Sequence, residues 1–234
     1  MFDRIKKALS KGATERGESL AANSQMAHGP VSEWAATRGF GFSVDGNGQT
    51  VSLEGTVEGK PWRIQMGGPS REYIRGEEVR ARAELDIDDD VSLLLMNRPL
   101  KDALEKKAYE MYTDTLQTSA DPRLPEEMRW LAMFDEVGWD SLPQAFWDRY
   151  ALLTDNREHA LAWMEPELAR LATEWPEPGP SAEVPFMLLL LRGKAYLRME
   201  YSPAATSTLE HASRIFIASC EAALGSFPIK PPKK

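Results

Sequence analysis

Arg71, Tyr73 and Arg75 stand in a glycine-bounded stretch without apolar periodicity, and Trp62 and Arg63 shortly precede them. Guanidinium groups pair bidentately with carboxylate or phosphate, and Trp, Tyr and Arg dominate the energetics of protein interfaces. Loops carry function more often than strands do. The five residues therefore predict a cationic, aromatic surface for an anionic ligand or a partner. A second cluster lies at the N-terminus. Phe2, Ile5 and Leu9 fall at i, i+3 and i+7, with Arg4, Lys7 and Lys11 on another face. A basic amphipathic helix of this kind can lie on an anionic membrane. Three buried apolar side chains offer at most roughly 5–8 kcal/mol. Ordering a short helix that is unstable alone in water takes back much of it.

Other chemistries find no support in the spacing. His28, His159 and His211 are far apart and lack zinc-type ligand spacing. His211 falls off the apolar stripe of its helix, which predicts a solvated ring, and His159 stands one turn before Trp163. Asp86, Asp88, Asp89 and Asp90 suggest calcium, but an EF-hand loop counted from Asp86 would place Val91 where glycine is needed and Asn97 where glutamate is needed. Gly39 and Gly41, then Gly46 and Gly48, precede strand-like segments without Lys-Ser or Lys-Thr, so they read as turns rather than a phosphate loop. Cys220 occupies a helical core position, where a thiol behaves as a small hydrophobe. No serine has a nucleophile-elbow context. No metal and no cofactor is expected, and no catalytic group is identified.

Composition narrows the class further. The 234 residues are 42% hydrophobic and 27% charged, with a net charge of −8. That suits a globular chain with a sizeable core and argues against nonspecific nucleic-acid binding, which needs clustered Lys and Arg. Both ends are basic: Arg4, Lys6, Lys7, Lys11 and Arg16 at one, Lys230, Lys233 and Lys234 at the other. The body between is correspondingly more acidic. A single cysteine fits a reducing compartment. The longest apolar run, Phe186 to Leu191, is far short of the ~20 residues that span a bilayer. The basic N-terminus lacks the apolar stretch of a secretory signal. A cytoplasmic location is expected, with the N-terminal helix as a route to the inner face of a membrane.

The positioning elements follow from periodicity. From Val79 to Ile87 odd positions are apolar, while Arg80, Arg82, Glu84 and Asp86 alternate with them, the mark of a strand with one wet face. Residues 12–30 predict a linker and 31–38 a helix with Trp34 and Ala35 inward. Strands are expected at Phe40–Val44, Val51–Val57, Trp62–Met66 and Ser92–Met96, then a helix opened by Pro99 with Leu100, Leu104, Ala108 and Met111 along one stripe. Met128–Phe134 and Phe146–Leu153 predict strands. Asp155 predicts the cap of a helix that continues from Pro166 to Trp175. Phe186–Leu191 and Lys194–Tyr201 read as a hairpin about Arg192-Gly193. Ser202 and Pro203 predict the start of a last helix, with Leu209, Ala212, Phe216, Cys220 and Ala223 inward. The sum is an α+β fold, an antiparallel meander or sheet with helices on one face, in two similar-sized subdomains at 31–116 and 126–229.

The segments Trp34-Ala-Ala-Thr-Arg-Gly39, Gly55-Thr-Val-Glu-Gly-Lys-Pro-Trp62 and Phe146-Trp-Asp-Arg-Tyr-Ala-Leu-Leu-Thr154 resemble a loose group of bacterial domains of unknown function. The resemblance implies an N-terminal helix and meander followed by strand, helix, hairpin and final helix, and brings no catalytic residues. The leading expectation is a non-enzymatic binding or scaffold protein whose partner is another protein, with an anionic membrane surface as a second partner and no nucleic acid. Two alternatives stay open. One is an enzyme that holds a small anionic substrate through Arg71 or Arg75; the other is a subunit of a larger assembly.

Overall fold

A computed structural model describes residues 28–114 and 125–230. Among them nine strands form one sheet, antiparallel at every pairing, in the order β1-β2-β3-β4-β9-β8-β5-β7-β6. The strands are β1 (Gly41–Val44), β2 (Val51–Val57), β3 (Lys60–Gly67), β4 (Glu78–Glu84), β5 (Leu93–Asn97), β6 (Asp135–Val137), β7 (Tyr150–Thr154), β8 (Phe186–Leu191) and β9 (Lys194–Glu200). The α+β class and the antiparallel sheet are as expected. The halves expected as separate subdomains share this sheet: β5 lies between β8 and β7, and β4 pairs with β9.

Strand patterning explains the order. In β4 apolar residues alternate with charged ones, and in β9 with charged residues and Tyr196, so each has one apolar buried face. In β5, β7 and β8 nearly every residue is buried, because both faces are covered. The first face packs under five helices: α1 (residues 28–38), α4 (Gln144–Arg149), α5 (Arg157–Trp163), α6 (Pro166–Thr173) and α7 (Thr206–Ser226). Its core joins Leu53, Ile64, Ala81, Leu95, Leu188 and Leu197 to Phe146, Trp163 and Phe216. Two large polar side chains buried there find acceptors: the Trp163 indole donates to the Ser219 carbonyl at 3.0 Å, and the Tyr150 hydroxyl to that of Ala172 at 2.8 Å. Gly55 sits opposite Trp62, whose ring would lie 2.4 Å from a Cβ at that position. A side chain is excluded there by the indole that covers the strand.

Helices are not confined to that face. α2 (Arg98–Asp114) and α3 (Glu126–Met133) cover the second face over β5, β7 and β8, where Leu94, Met96, Leu153, Met187 and Leu189 meet Leu100, Leu104 and Met128. The rest of the second face carries no helix among the described residues.

Several local expectations are corrected. Residues 128–133 belong to helix α3, not a strand, and Phe134 is its C-cap; Pro125 precedes the helix and Glu126 and Glu127 fill its first turn, where the helix dipole favours acids. Phe146 lies in α4, and only Tyr150 onward is strand. Asn156, not Asp155, caps α5, accepting from the Glu158 N–H at 3.0 Å. α7 begins at Thr206, after a turn in which Ala205 N–H donates to the Pro203 carbonyl. Residues 28–30, expected as the end of a linker, are helical. His211 is 6% exposed rather than solvated, because α6 and Trp175 close over it. His159 meets Phe227 edge to face, the ring centres 5.4 Å apart. The expected membrane-contact residues Phe2, Arg4, Ile5, Lys7, Leu9 and Lys11 lie outside the described residues.

Candidate binding surface

The helix-free half of the second face is where charged side chains gather. Side chains two apart on a strand share a face, so the register fixes which groups meet. One row across the sheet runs Gln65, Arg80, Arg198, Met187; the next runs Glu54, Arg63, Arg82, Tyr196, Leu189. Each row passes from charged to apolar as it approaches the α2–α3 layer. The surface is concave, about 790 Å³ in volume, and Arg71, Glu126 and Trp130 also line it.

Six arginines line this concavity (Arg63, Arg71, Arg80, Arg82, Arg192 and Arg198) against the exposed or half-exposed carboxylates of Glu54, Glu84 and Glu126. That is a cationic excess on a chain of net charge −8. Arg80 stands directly opposite Arg198 across β4 and β9, a juxtaposition of like charges that costs stability unless an anion is shared. Arg198 is neutralised by two buried carboxylates: its Nε lies 2.8 Å from Glu78 and its Nη1 2.9 Å from Glu127. Among the described residues Arg80 has no such partner, and its Nε is buried without a hydrogen-bond acceptor. Arg63 pairs with Glu54 at 2.7 Å and Arg82 with Glu84, both pairs largely in solvent. Such exposed pairs exchange readily for a competing anion. The Arg82 guanidinium also lies 5.9 Å from the centre of the Tyr196 ring.

One wall is held by a buried network. Glu127 of α3 is 1% exposed and accepts from Arg71 Nε at 2.6 Å, Arg198 Nη1 at 2.9 Å and the Tyr73 hydroxyl at 3.2 Å. Glu78, fully buried, accepts from the backbone and hydroxyl of Ser70. Burial pushes the Glu127 carboxyl up, but the hydrogen bond from Arg71 and the charges of Arg71 and Arg198 outweigh it and hold the group below its ordinary value. Burial, reinforced by the Glu127 charge, pushes the Tyr73 phenol up to about 12. A carboxylate locked ionised between two guanidiniums is neither a proton donor nor a free base near neutrality. The network ties α3 and the 68–77 loop to the sheet.

The residues expected to form one surface are divided by this geometry. Arg63 and Arg71 line the concavity. Tyr73 lies behind its wall on Glu127. Trp62 also borders the concavity, but it is 3% exposed and its ring packs into the core on the first face, 4.8 Å from that of Phe40. It shares the inward parity of Ile64 and Met66, opposite to that of Arg63. Arg75 is outside the lining and engages Glu200 through its backbone N–H at 2.7 Å. Arg80, Arg82, Arg198 and Tyr196, the centre of the surface, were readable only as the wet positions of two alternating strands. The signal that singles them out is arginine at the same parity in both, which gains meaning once β4 and β9 are known to pair.

Among the described residues no group of His, Cys, Asp and Glu is arranged to hold a metal ion, and no helix is long and apolar enough to cross a membrane. Burial pushes the Cys220 thiol up to about 12, so it is not a nucleophile near neutrality. Compared with protein-family models, curated protein sequences and solved structures, the chain matches none.

Proposed function

We propose that this protein is a binding module that uses the open half of its sheet, centred on Arg80, Arg82 and Tyr196, to hold an anionic partner. The observation that carries this reading is the like-charge pair Arg80 and Arg198, of which, among the described residues, only Arg198 is neutralised by carboxylates. An anion seated over Arg80 would remove that repulsion and satisfy a guanidinium Nε that has no acceptor among the described residues. Tyr196 and Trp130 beside the arginines supply the aromatic contact area typical of interfaces. The buried carboxylates support binding rather than catalysis, since both are spent on holding the wall in place.

Poly-L-glutamate is a suitable first probe. The intact chain is expected to bind it with an affinity that falls steeply as salt is raised, and the Arg80→Glu/Arg82→Glu variant is expected to lose at least about tenfold, as charge reversal at the centre of a steering patch does. Equal binding by both proteins would reject this face as the site.

A further inference from the structure

We infer that the occupant of this surface is an acidic amphipathic helix of another protein, lying along β4 and β9 beside α3 and completing the helical layer that α2 and α3 begin. The inference rests on the binding reading above and adds the shape and chemistry of the partner.

Three observations lead to it. First, the surface is two-sided. Arg63, Arg80 and Arg82 flank it on the β3–β4 side, and the partly exposed Leu191 and Trp130 on the α3 side, with Tyr196 between. A ligand must therefore offer carboxylates along one edge and apolar groups along the other. A helix does this with two adjacent stripes, because residues three and four apart share a face. Second, the space suits a helix. β2, β3, β4 and β9 span about 14 Å at ~4.8 Å per strand, and a helix with its side chains is about 10 Å across. The other half of the same face is already roofed in this way by α2 and α3. Third, the competing occupants fit worse. A bilayer is flat, and this surface is recessed behind α3 and the 68–77 loop. Nucleic acid would bring uniform negative charge onto Glu54, Glu84 and Glu126, which are interleaved with the arginines. A small anion would leave the apolar edge uncovered. Nor do the parts of this chain outside the described residues supply the acid: residues 1–27 carry five bases and three acids, 115–124 one of each, and 231–234 two lysines.

The test uses the full chain and designed helical peptides, followed by calorimetry at low salt. A Leu/Glu peptide with one leucine stripe is compared with a Glu/Ala peptide of equal charge and no stripe, and with the Leu/Lys counterpart of the first. The Leu/Glu peptide is expected to bind at least about tenfold more tightly than either other, since each tenfold needs only ~1.4 kcal/mol of added apolar contact or charge complementarity. The Arg80→Glu/Arg82→Glu variant is expected to reverse the preference and take the Leu/Lys peptide. Arg63→Glu/Arg82→Glu, at two exposed positions, repeats the reversal where folding is not at stake, and circular dichroism checks both. Equal binding of the striped and stripeless acidic peptides would overturn the helix while leaving the anion surface standing. Failure of both acidic peptides together with poly-L-glutamate would remove the anion surface as well. Binding to phosphatidylserine vesicles that the Arg80→Glu/Arg82→Glu change abolishes, with no peptide bound, would overturn the helix in favour of a lipid surface.

Discussion

The two halves of the second sheet face are built from the same strand system and treated oppositely. Over β5, β7 and β8, Leu94, Met96, Leu153, Met187 and Leu189 lie beneath α2 and α3. Over β3, β4 and β9, the side chains in the same rows are Arg63, Arg80, Arg82, Tyr196 and Arg198, and among the described residues no helix lies over them beyond the edge of α3, whose Glu127 holds Arg198. The boundary falls within β8–β9, where Leu189 opposes Tyr196 and Met187 opposes Arg198. The closed half derives its stability from apolar burial. The open half retains charge beyond what folding needs, and the Glu127 network is the seam that fastens one to the other.

That contrast is sharpest under substitution. The largest loss is expected at the seam. Glu127→Ala leaves Arg71 without a buried partner and Arg198 with Glu78 alone, and should cost about 3–5 kcal/mol, measured by urea unfolding. In the closed half Leu94→Ala, at a fully buried position, should cost about 2–5 kcal/mol through lost burial and a cavity. In the open half Arg82→Ala should change stability by no more than about 0.5 kcal/mol while weakening poly-L-glutamate binding. A loss from Arg82→Ala as large as that from Leu94→Ala would erase the distinction between the halves.

Acidification separates the seam from the helical layer on the first face. His211 Nε2 donates to the Leu171 carbonyl at 2.7 Å, and its ring lies 4.7 Å from that of Trp175. Burial, with the charges of Arg214 and Arg170, holds its pKa below the ordinary 6.5, against the opposing pull of the Leu171 carbonyl and Glu210. The folded state therefore favours neutral imidazole. The stability this group contributes is present above about pH 6.5 and is lost as pH falls through the lower folded value. Glu127 is also depressed, from 4.5, so its contribution is present above that pH and disappears further down, as pH falls through its own folded value. Melting temperature against pH should show two successive declines. His211→Gln should remove the first and leave the second; persistence of both in that variant would reject the assignment.

Much of the fold was legible because strand alternation is a local signal. The β8–β9 hairpin, the β2–β3 pair and the inward stripe of α7 all follow from the period of their own residues. Met128–Phe134 was misread because seven residues with apolar positions at 128, 130 and 134 satisfy a strand pattern, whereas Pro125 and the acidic first turn decide for helix. The candidate surface was legible only at its rim, in Arg63 and Arg71. Its centre depends on Arg80 meeting Arg198 and on β5 crossing between β8 and β7, both long-range pairings. Trp62 shows the converse: an aromatic next to an arginine in sequence is on the other side of the sheet in space.

The most direct test of the open half as a binding surface is a titration of isotope-labelled protein with poly-L-glutamate, followed through the arginine Nε–Hε resonances. Arg80 and Arg82 are expected to shift together and early, with the Tyr196 backbone amide, while Arg38 and Arg170, which are paired on helices of the other face, stay fixed. Shifts spread evenly over arginines of both faces, or confined to the helical face, would contradict the account.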